Sequence, residues 1–148
     1  MNLAHFLVEA KKKTYASEEA NKKINEDGSN ELLFRNDNLI YKDKYYGADP
    51  FIGEEVVLED NKVIWVMNYY GEVISSDADA KNVYTFLKKA MSQVNEDKPF
   101  RGPAEYTEGD YKYLNSNEGD INNFSGNEKI FYKNKNVYKL IYHGCSVK

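Results

Sequence analysis

Two stretches of this chain align on each other without a gap, and this repeat constrains the fold more than any other feature. Residues 51–74 match residues 124–147 at a constant offset of 73, with 7 identities in 24 positions. Average residue usage would give roughly one or two identities. The identities include Phe51 with Phe124, Glu55 with Glu128 and Gly71 with Gly144. We interpret the match as an internal duplication.

Each copy has the pattern of a β-hairpin. The first copy is predicted to turn at Asp60-Asn61, because two polar residues separate two strand-like runs there. Asn tolerates positive φ, and Asn134 stands at the equivalent place in the second copy. The two hairpins are therefore expected to have equivalent turns.

Pairing across a regular two-residue turn assigns the side chains to faces of the sheet. It sets Glu55 opposite Val66 in the first copy and Glu128 opposite Lys139 in the second. Apolar side chains then occur on both faces of the first hairpin, which predicts a central hairpin covered on both sides, with Trp65 buried. The second hairpin is more polar and is expected to be more peripheral.

Two helices are predicted from apolar residues at helical spacing. The first occupies residues 3–14, and the second begins after Asp77 or Asp79, either of which can cap it. Residues 15–30 lose the pattern and are expected to form a connection with a short helical turn. The apolar stripes are Leu3, Phe6, Leu7 and Ala10 in the first helix, and Val83, Phe86, Leu87, Ala90 and Val94 in the second.

The repeat unit is therefore a helix followed by three or four antiparallel strands, made twice. The predicted fold class is α+β: one antiparallel sheet with both main helices packed on one face. We expect a single domain of residues 1–148, built from repeats 1–75 and 77–148.

Composition narrows the function classes. The chain has 148 residues, a net charge of −4 and only two arginines, which argues against direct nucleic-acid binding. No apolar run approaches the length of a membrane span, and the single cysteine, Cys145, agrees with a reducing compartment. A cytoplasmic protein is predicted. Two histidines and one cysteine give no zinc pattern, and no phosphate or dinucleotide motif occurs, so neither a metal nor a cofactor is predicted.

The paired glutamates are the most informative candidate site residues. A carboxylate among apolar neighbours needs hydrogen-bond donors or a cation, unless it is neutral. Lys139 is expected to pair with Glu128, whereas Glu55 has no evident cation and is left with Asn68 and Tyr70 as donors. Glu55 is either a ligand-binding or acid–base group in an aromatic groove, or a structural acceptor. The candidate ligand-binding residues are Phe51, Glu55, Asn68, Tyr70, Phe124, Glu128, Lys139 and His143.

The segments FLVEAKKKTYA, MNYYG, PFRGPAEY and EGDYKY resemble the bacterial domain of unknown function DUF5680 over essentially the whole chain. The resemblance implies a domain that occurs alone or behind an N-terminal helix-turn-helix of the xenobiotic-response type. It implies no catalytic residues, since none is established for that family. By fold-level association only, it implies a domain that senses or binds something for a regulator.

Two functional hypotheses follow. The leading one is a non-enzymatic sensor or interaction module that binds a small molecule or a protein partner in an aromatic groove of the sheet. The alternative is a small hydrolase or transferase that uses Glu55 with Tyr70 or His143. A closed pocket around Glu55 would favour the enzyme, and a shallow aromatic groove would favour the binding module.

Overall fold

The computed structural model describes residues 2–14, 16 and 22–148. Two helices and nine strands occur in these residues. They follow each other as α1 (Leu3–Lys13), β1 (Lys23–Ile24), β2 (Asn30–Asn36), β3 (Leu39–Tyr46), β4 (Phe51–Glu59), β5 (Lys62–Val73), α2 (Ala80–Met91), β6 (Glu105–Glu108), β7 (Tyr111–Asp120), β8 (Asn123–Tyr132) and β9 (Lys135–Ser146).

All nine strands form one antiparallel sheet in the order β1-β2-β3-β4-β5-β9-β8-β7-β6. The β5–β9 pair lies at the centre of the sheet, and Tyr69 pairs there with Tyr142, the residue 73 positions later. The strand order on one side of this pair is therefore repeated in reverse on the other. The α+β class and the single antiparallel sheet are confirmed.

The two predicted hairpins have the same geometry. Asp60 and Asn61 have φ of 49° and 65°, and Lys133 and Asn134 have φ of 48° and 67°, as in a two-residue type I′ turn. Both ladders then shift register at equivalent places, between Val57/Leu58 and between Ile130/Phe131. These correspondences describe geometry, and a common origin of the two halves stays a prediction.

The register shift is a β-bulge, and it makes the predicted face assignment wrong. Glu55 pairs with Met67 and not with Val66, because β5 carries one extra residue before the regular ladder resumes. In the second hairpin Glu128 pairs with Leu140, and Lys139 lies opposite Lys129 on the other face. One extra residue turns every later side chain of the strand to the other side of the sheet.

The corrected register separates a covered face from an open one. The covered face carries the core, in which strand residues from both halves pack with the apolar stripes of α1 and α2. The opposite face is open: Ile52 and Ile141 are 54% and 59% exposed there. The prediction that the first hairpin is covered on both sides is therefore wrong. The prediction of a peripheral second hairpin is also wrong, because β9 lies beside β5 at the sheet centre.

The helices begin where their sequences predict, but α2 ends at Met91, so Val94 of the predicted stripe lies outside it. Asn2 caps α1 through its side-chain oxygen, and Asp79 caps α2 by accepting from the backbone amide of Asn82. Lysines occupy the last turn of both helices, where cations stabilise the helix dipole. Trp65 is fully buried in the core, as predicted, and its indole donates to the carbonyl oxygen of Ile121.

The predicted connection at residues 15–30 falls partly outside the described residues, namely at 15 and 17–21. Its described part contains the short strand β1 and a turn around Gly28, with φ of 85°. Neither described helix is long and apolar enough to cross a membrane.

Candidate functional site

Five charged residues are buried together between the helices and the sheet. We call them the buried charge cluster: Lys11, Asp43, Glu55, Arg101 and Glu128. Lys11 comes from the last turn of α1, Arg101 from the segment after α2, and the three carboxyls from β3, β4 and β8. Taking a charge out of water is costly unless it finds a partner, so the pairing within the cluster decides its chemistry.

Lys11 is the cation that the sequence analysis did not find for Glu55. Its ammonium lies 2.7 Å from Glu55 Oε1, and both side chains are fully buried. The same ammonium donates to the carbonyl oxygen of Phe100 and lies 5.8 Å from the centre of the Trp65 ring. The second oxygen of the carboxylate, Glu55 Oε2, is buried without a hydrogen-bond partner among the described residues.

Arg101 is the partner of Glu128 in place of the predicted Lys139. Its Nε and Nη2 donate to the two carboxylate oxygens, each at 3.1 Å. The hydroxyls of Tyr113 and Tyr138 also donate to this carboxylate. The Glu128 carboxylate therefore accepts two hydrogen bonds from the guanidinium and two from phenol hydroxyls, which gives it a structural role.

Asp43 is hydrogen-bonded to a tyrosine that crosses a neighbouring strand. The Tyr69 hydroxyl lies 2.5 Å from Asp43 Oδ1, and its ring reaches β3 over Gly53 on β4. A Cβ at Gly53 would lie 2.6 Å from that hydroxyl oxygen, so only glycine leaves the path open. Tyr69, Gly53 and Asp43 thus form one unit across three strands.

The second half contains the same unit with an amide in place of the acid. Tyr142 crosses Gly126, and its hydroxyl donates to Asn115 Oδ1 at 2.8 Å. Asn115 pairs with Glu128 across the ladder, as Asp43 pairs with Glu55. Asn115 Nδ2 donates to the carbonyl oxygen of Gly102 at 2.9 Å, so the segment after α2 covers this copy. The structure therefore holds a neutral counterpart of the Asp43 unit.

Gly126→Ala tests the tyrosine crossing. A Cβ at this position would overlap the Tyr142 ring, which must move away and lose its hydrogen bond to Asn115. We expect the free energy of unfolding to fall by ~1–3 kcal/mol in a urea melt. Ser125→Ala, at the exposed neighbouring position, is the control and should change it by less than ~0.5 kcal/mol. Equal effects of the two substitutions would show that the glycine does not make room for the ring.

Burial is the main cause of an unusual pKa at Asp43. Loss of hydration, followed by the nearby Glu55 carboxylate, raises the pKa of Asp43 from 3.8 to about 7. The Tyr69 hydrogen bond and the charges of Arg101 and Lys11 lower it by less. Burial and the Asp43 charge raise the pKa of Tyr69, so its hydroxyl keeps its proton and can donate.

Asp43 makes stability depend on pH in a direction opposite to that of most carboxyls. Between pH ~4 and ~7 folded Asp43 holds a proton that the unfolded chain has released, so its contribution to stability falls as pH rises. The slope is at most ~1.4 kcal/mol per pH unit. We expect urea melts to show this slope in the difference between the free energies of unfolding of wild type and Asp43→Asn. A difference that stays constant from pH 4 to pH 7 would contradict the assignment.

A cleft of about 530 Å³ opens on the helix side of the sheet and reaches Asp43. That volume suits a drug-sized ligand. Its base contains Asp43, Tyr69 and Arg101, and its wall includes the apolar face of α2. The other lining residues are Lys22, Gly28, Asn30, Tyr45, Gly47, Ala48, Phe51, Tyr84, Leu87, Lys88 and Met91.

The aromatic walls of the cleft are held in place by contacts with one another and with residues outside it. Phe51 packs against Tyr69 and Tyr84, with ring centres 5.9 Å and 5.8 Å apart. The Tyr84 hydroxyl donates to Asp49 at 2.6 Å, and the same carboxylate accepts from the backbone amide of Val73 at 2.9 Å. The walls are therefore fixed by the fold, as a preformed site requires.

A second, wider groove of about 820 Å³ lies on the open face. Asn68, Tyr70 and His143 line it together with Ile52 and Ile141. All five side chains are at least partly exposed, and the groove holds none of the buried charge cluster. Its surface is apolar with a charged rim, and none of the buried charged side chains in the described part of the chain lines it.

The structure divides the predicted site residues among four places. Phe51 lines the helix-side cleft, and Glu55 lies behind its base, next to Asp43 across the ladder. Phe124 and Glu128 are buried in the second half, where Phe124 stacks on Trp65. The open-face groove holds Asn68, Tyr70 and His143, and Lys139 is exposed on the same face. The sheet therefore separates Glu55 from Tyr70 and His143, and it does not bring them together.

Asp43, Lys11 and Arg101 were not among the predicted site residues. A signal existed for Asp43, because it stands in phase with the inward-facing Tyr41 and Tyr45 on one strand. Lys11 directly follows Ala10 on the buried side of α1, but it also begins a run of three lysines that is typical of an exposed helix end. Arg101 lies in an irregular segment, where no periodicity indicates burial.

Among the described residues, no group of three or more His, Cys, Asp or Glu side chains is arranged to hold a metal ion. A family model described as "Domain of unknown function (DUF5680)" matches residues 43–147. Comparisons with curated proteins and with solved structures gave no match.

Proposed function

The chain belongs to the DUF5680 family, whose description states no activity, and we propose that it is a non-enzymatic module that binds a small molecule in the helix-side cleft. The observation that carries the proposal is a buried carboxyl, Asp43, at the base of a preformed aromatic cleft. Pockets with apolar walls and few convergent polar groups are the usual form of small-molecule sites.

The comparison of the two halves supports the cleft over the open face. In the second half Asn115 bonds to the main chain of Gly102, which fills the space in front of it. In the first half Asp43 lines a cleft instead. A buried acid costs stability unless a partner compensates it, so its presence beside an opening favours a binding role.

Ala48→Trp tests the location of the site. Ala48 is exposed at the cleft mouth, so an indole there fills part of the opening without entering the core. Aromatic fragments of about 10–20 heavy atoms are screened by ligand-observed NMR against wild type, and we expect the hits to lose at least ~10-fold in affinity in Ala48→Trp. A tenfold loss corresponds to ~1.4 kcal/mol of binding free energy.

Asn127→Trp is the matched control, because it adds an indole at an exposed position of the open face. Hits should bind this variant as they bind wild type. If affinity is lost in Asn127→Trp and kept in Ala48→Trp, the ligand lies on the open face and the proposal is wrong. Both variants must keep the wild-type circular dichroism spectrum and melting temperature within a few degrees.

Asp43 also favours a second candidate function, an enzyme with acid–base chemistry at this residue. A carboxyl with a pKa near the working pH is suited to proton transfer. The two functions differ in what happens to a bound compound. Mass spectrometry should recover it unchanged after prolonged incubation if the protein is a binding module. Conversion by wild type that is abolished in Asp43→Asn would support the enzyme.

Three further predictions from the sequence concern the location of the protein, a protein partner and an association with a regulator. We infer a cytoplasmic bacterial protein from the single cysteine, Cys145, which is exposed, and from the family resemblance. The predicted interaction module could bind a protein partner in place of a small molecule. An association with a transcription regulator follows from the resemblance alone.

A further inference from the structure

The buried charge cluster contains one more carboxyl than cations. Lys11 and Arg101 contribute two positive charges, against the three carboxyls of Asp43, Glu55 and Glu128. Among the described residues, the ion pairs of the cluster are Lys11–Glu55 and Arg101–Glu128, and neither includes Asp43. With all five groups ionised the cluster therefore has a net charge of −1.

The surplus carboxyl is also the one that lines the cleft. Glu55 and Glu128 do not line it, whereas Asp43 does, beside the aromatic ring of Tyr45. The ring of Tyr69 already holds the Arg101 guanidinium, 5.4 Å from its centre. Aromatic faces attract cations, and the attraction increases where water is excluded. Charge count and ring placement thus favour the same class of ligand.

We propose that the cleft takes a ligand with a protonated amine or similar cationic head group, which pairs with the Asp43 carboxylate while the apolar body packs among Tyr45, Phe51 and Tyr84. This inference rests on the proposed function and specifies its ligand class. A cation at this position brings the cluster to neutrality, and a carboxylate ligand would bring it to −2 with Asp43 ionised.

Lys22, Lys88 and Arg101 line the cleft and oppose a cation by repulsion. The charge of Arg101 is compensated by its ion pair with Glu128. Lys22 is exposed and Lys88 half-buried, so solvent and salt screen both ammonium groups more than they screen buried Asp43. Their position near the mouth also suits a hydrogen-bond acceptor at the outer end of the ligand. The ligand class is therefore determined by the group that contacts Asp43 at the base of the cleft.

Binding of a cation is coupled to loss of the Asp43 proton. At pH 6 the free protein holds this proton, and pairing with an ammonium requires the carboxylate, so the proton passes to the buffer. Affinity for an amine should therefore rise with pH up to ~7 and then level off. Among the described residues, the titratable groups that act on Asp43 or line the cleft with it are Lys11 of α1, Tyr45 of β3, Glu55 of β4, Tyr69 of β5, Tyr84 and Lys88 of α2, and Lys22 and Arg101 of the connecting segments.

Three probes of similar size and different charge test the ligand class: 2-phenylethylamine, 2-phenylethanol and 3-phenylpropanoate. Affinities for the full chain are measured by NMR titration at pH 6 and pH 8. We expect the amine to bind at least ~10-fold tighter than the alcohol at pH 8, as a charge-assisted hydrogen bond predicts. Titration calorimetry at pH 6, in buffers of different ionisation enthalpy, should show proton release with the amine only.

Asp43→Asn supplies the matched variant, since Asn115 occupies the equivalent position and accepts from Tyr142. We expect the variant to fold and to lose ~10–100-fold in amine affinity, with the alcohol changed by less than ~3-fold. Its amine affinity should not vary between pH 6 and pH 8. The proton-release measurement uses wild type alone, so it tests the inference even if this variant does not fold.

The outcomes separate this inference from the proposed function. Tighter binding of the alcohol or the carboxylate, with affinity lost in Ala48→Trp, would keep the binding module and overturn the cationic class. Amine binding that survives Ala48→Trp, or that releases no proton at pH 6, would also overturn it. If no probe binds wild type at 10 mM, which corresponds to about 3 kcal/mol of binding free energy, the cationic class is overturned. The fragment screen then decides separately whether the cleft binds small molecules.

Discussion

Arg101→Met should lower the free energy of unfolding by ~3–5 kcal/mol, because it leaves a buried carboxylate without its cation. Arg101 and Glu128 are 3% and 0% exposed and share two hydrogen bonds of 3.1 Å. Methionine keeps much of the side-chain volume, so the change removes charge with little loss of packing. The measurement is a urea melt at pH 7, read by tryptophan fluorescence, which reports the buried Trp65.

The chain offers a matched control in its only other arginine. Arg35 lies on β2 with an exposed side chain, and Arg35→Met should change stability by less than ~0.5 kcal/mol. The double variant Arg101→Met/Glu128→Leu removes both charges and should recover part of the loss. A loss in Arg101→Met no larger than in Arg35→Met would show that the Glu128 carboxylate does not depend on the guanidinium.

Local sequence signals predicted most of the secondary structure. The Asp60-Asn61 and Lys133-Asn134 turns follow from their asparagines, which tolerate positive φ, and α2 follows from the Asp79 cap and an apolar stripe. Each of these features is determined by residues close together in the chain. That is why they could be predicted without knowledge of the tertiary structure.

The bulges could not be predicted in the same way, and they changed which side chains lie on which face of the sheet. Ile64 is the extra residue of β5, and it stands in an apolar run where one more branched residue gives no distinct pattern. Without the bulge, Trp65 is assigned to the face opposite Glu55. With it, Trp65 and Glu55 share the covered face, and the helix-side cleft becomes the candidate site.

The cluster was missed because its contacts join residues far apart in sequence. Lys11 and Glu55 are 44 positions apart, and Arg101 and Glu128 are 27 apart. A lysine at a helix end and an arginine in a loop are usually solvated, so composition favours exposure for both. The buried glutamates were the informative signal, since each predicted that some cation or donor must reach it.

Lys11→Met should be as costly as Arg101→Met, with an expected loss of ~3–5 kcal/mol in the free energy of unfolding. The Lys11 ammonium is 2.7 Å from Glu55 Oε1, and Oε2 has no partner among the described residues, so loss of the lysine leaves the whole carboxylate uncompensated. Lys11 also ties the last turn of α1 to the sheet and to the Phe100 carbonyl. Urea melts at pH 7 of Lys11→Met, Glu55→Leu and the double variant form the thermodynamic cycle.

The double variant should lose much less than the sum of the two single losses, because neither charge is then left alone. The control cycle uses Lys112 and Glu105, a 3.3 Å pair whose side chains are 47% and 57% exposed. Its coupling energy should be at most ~1 kcal/mol. Equal coupling in the two cycles would mean that burial does not strengthen the Lys11–Glu55 pair. A large coupling would assign Glu55 a structural role, which leaves Asp43 as the carboxyl of the cluster that is available to a ligand.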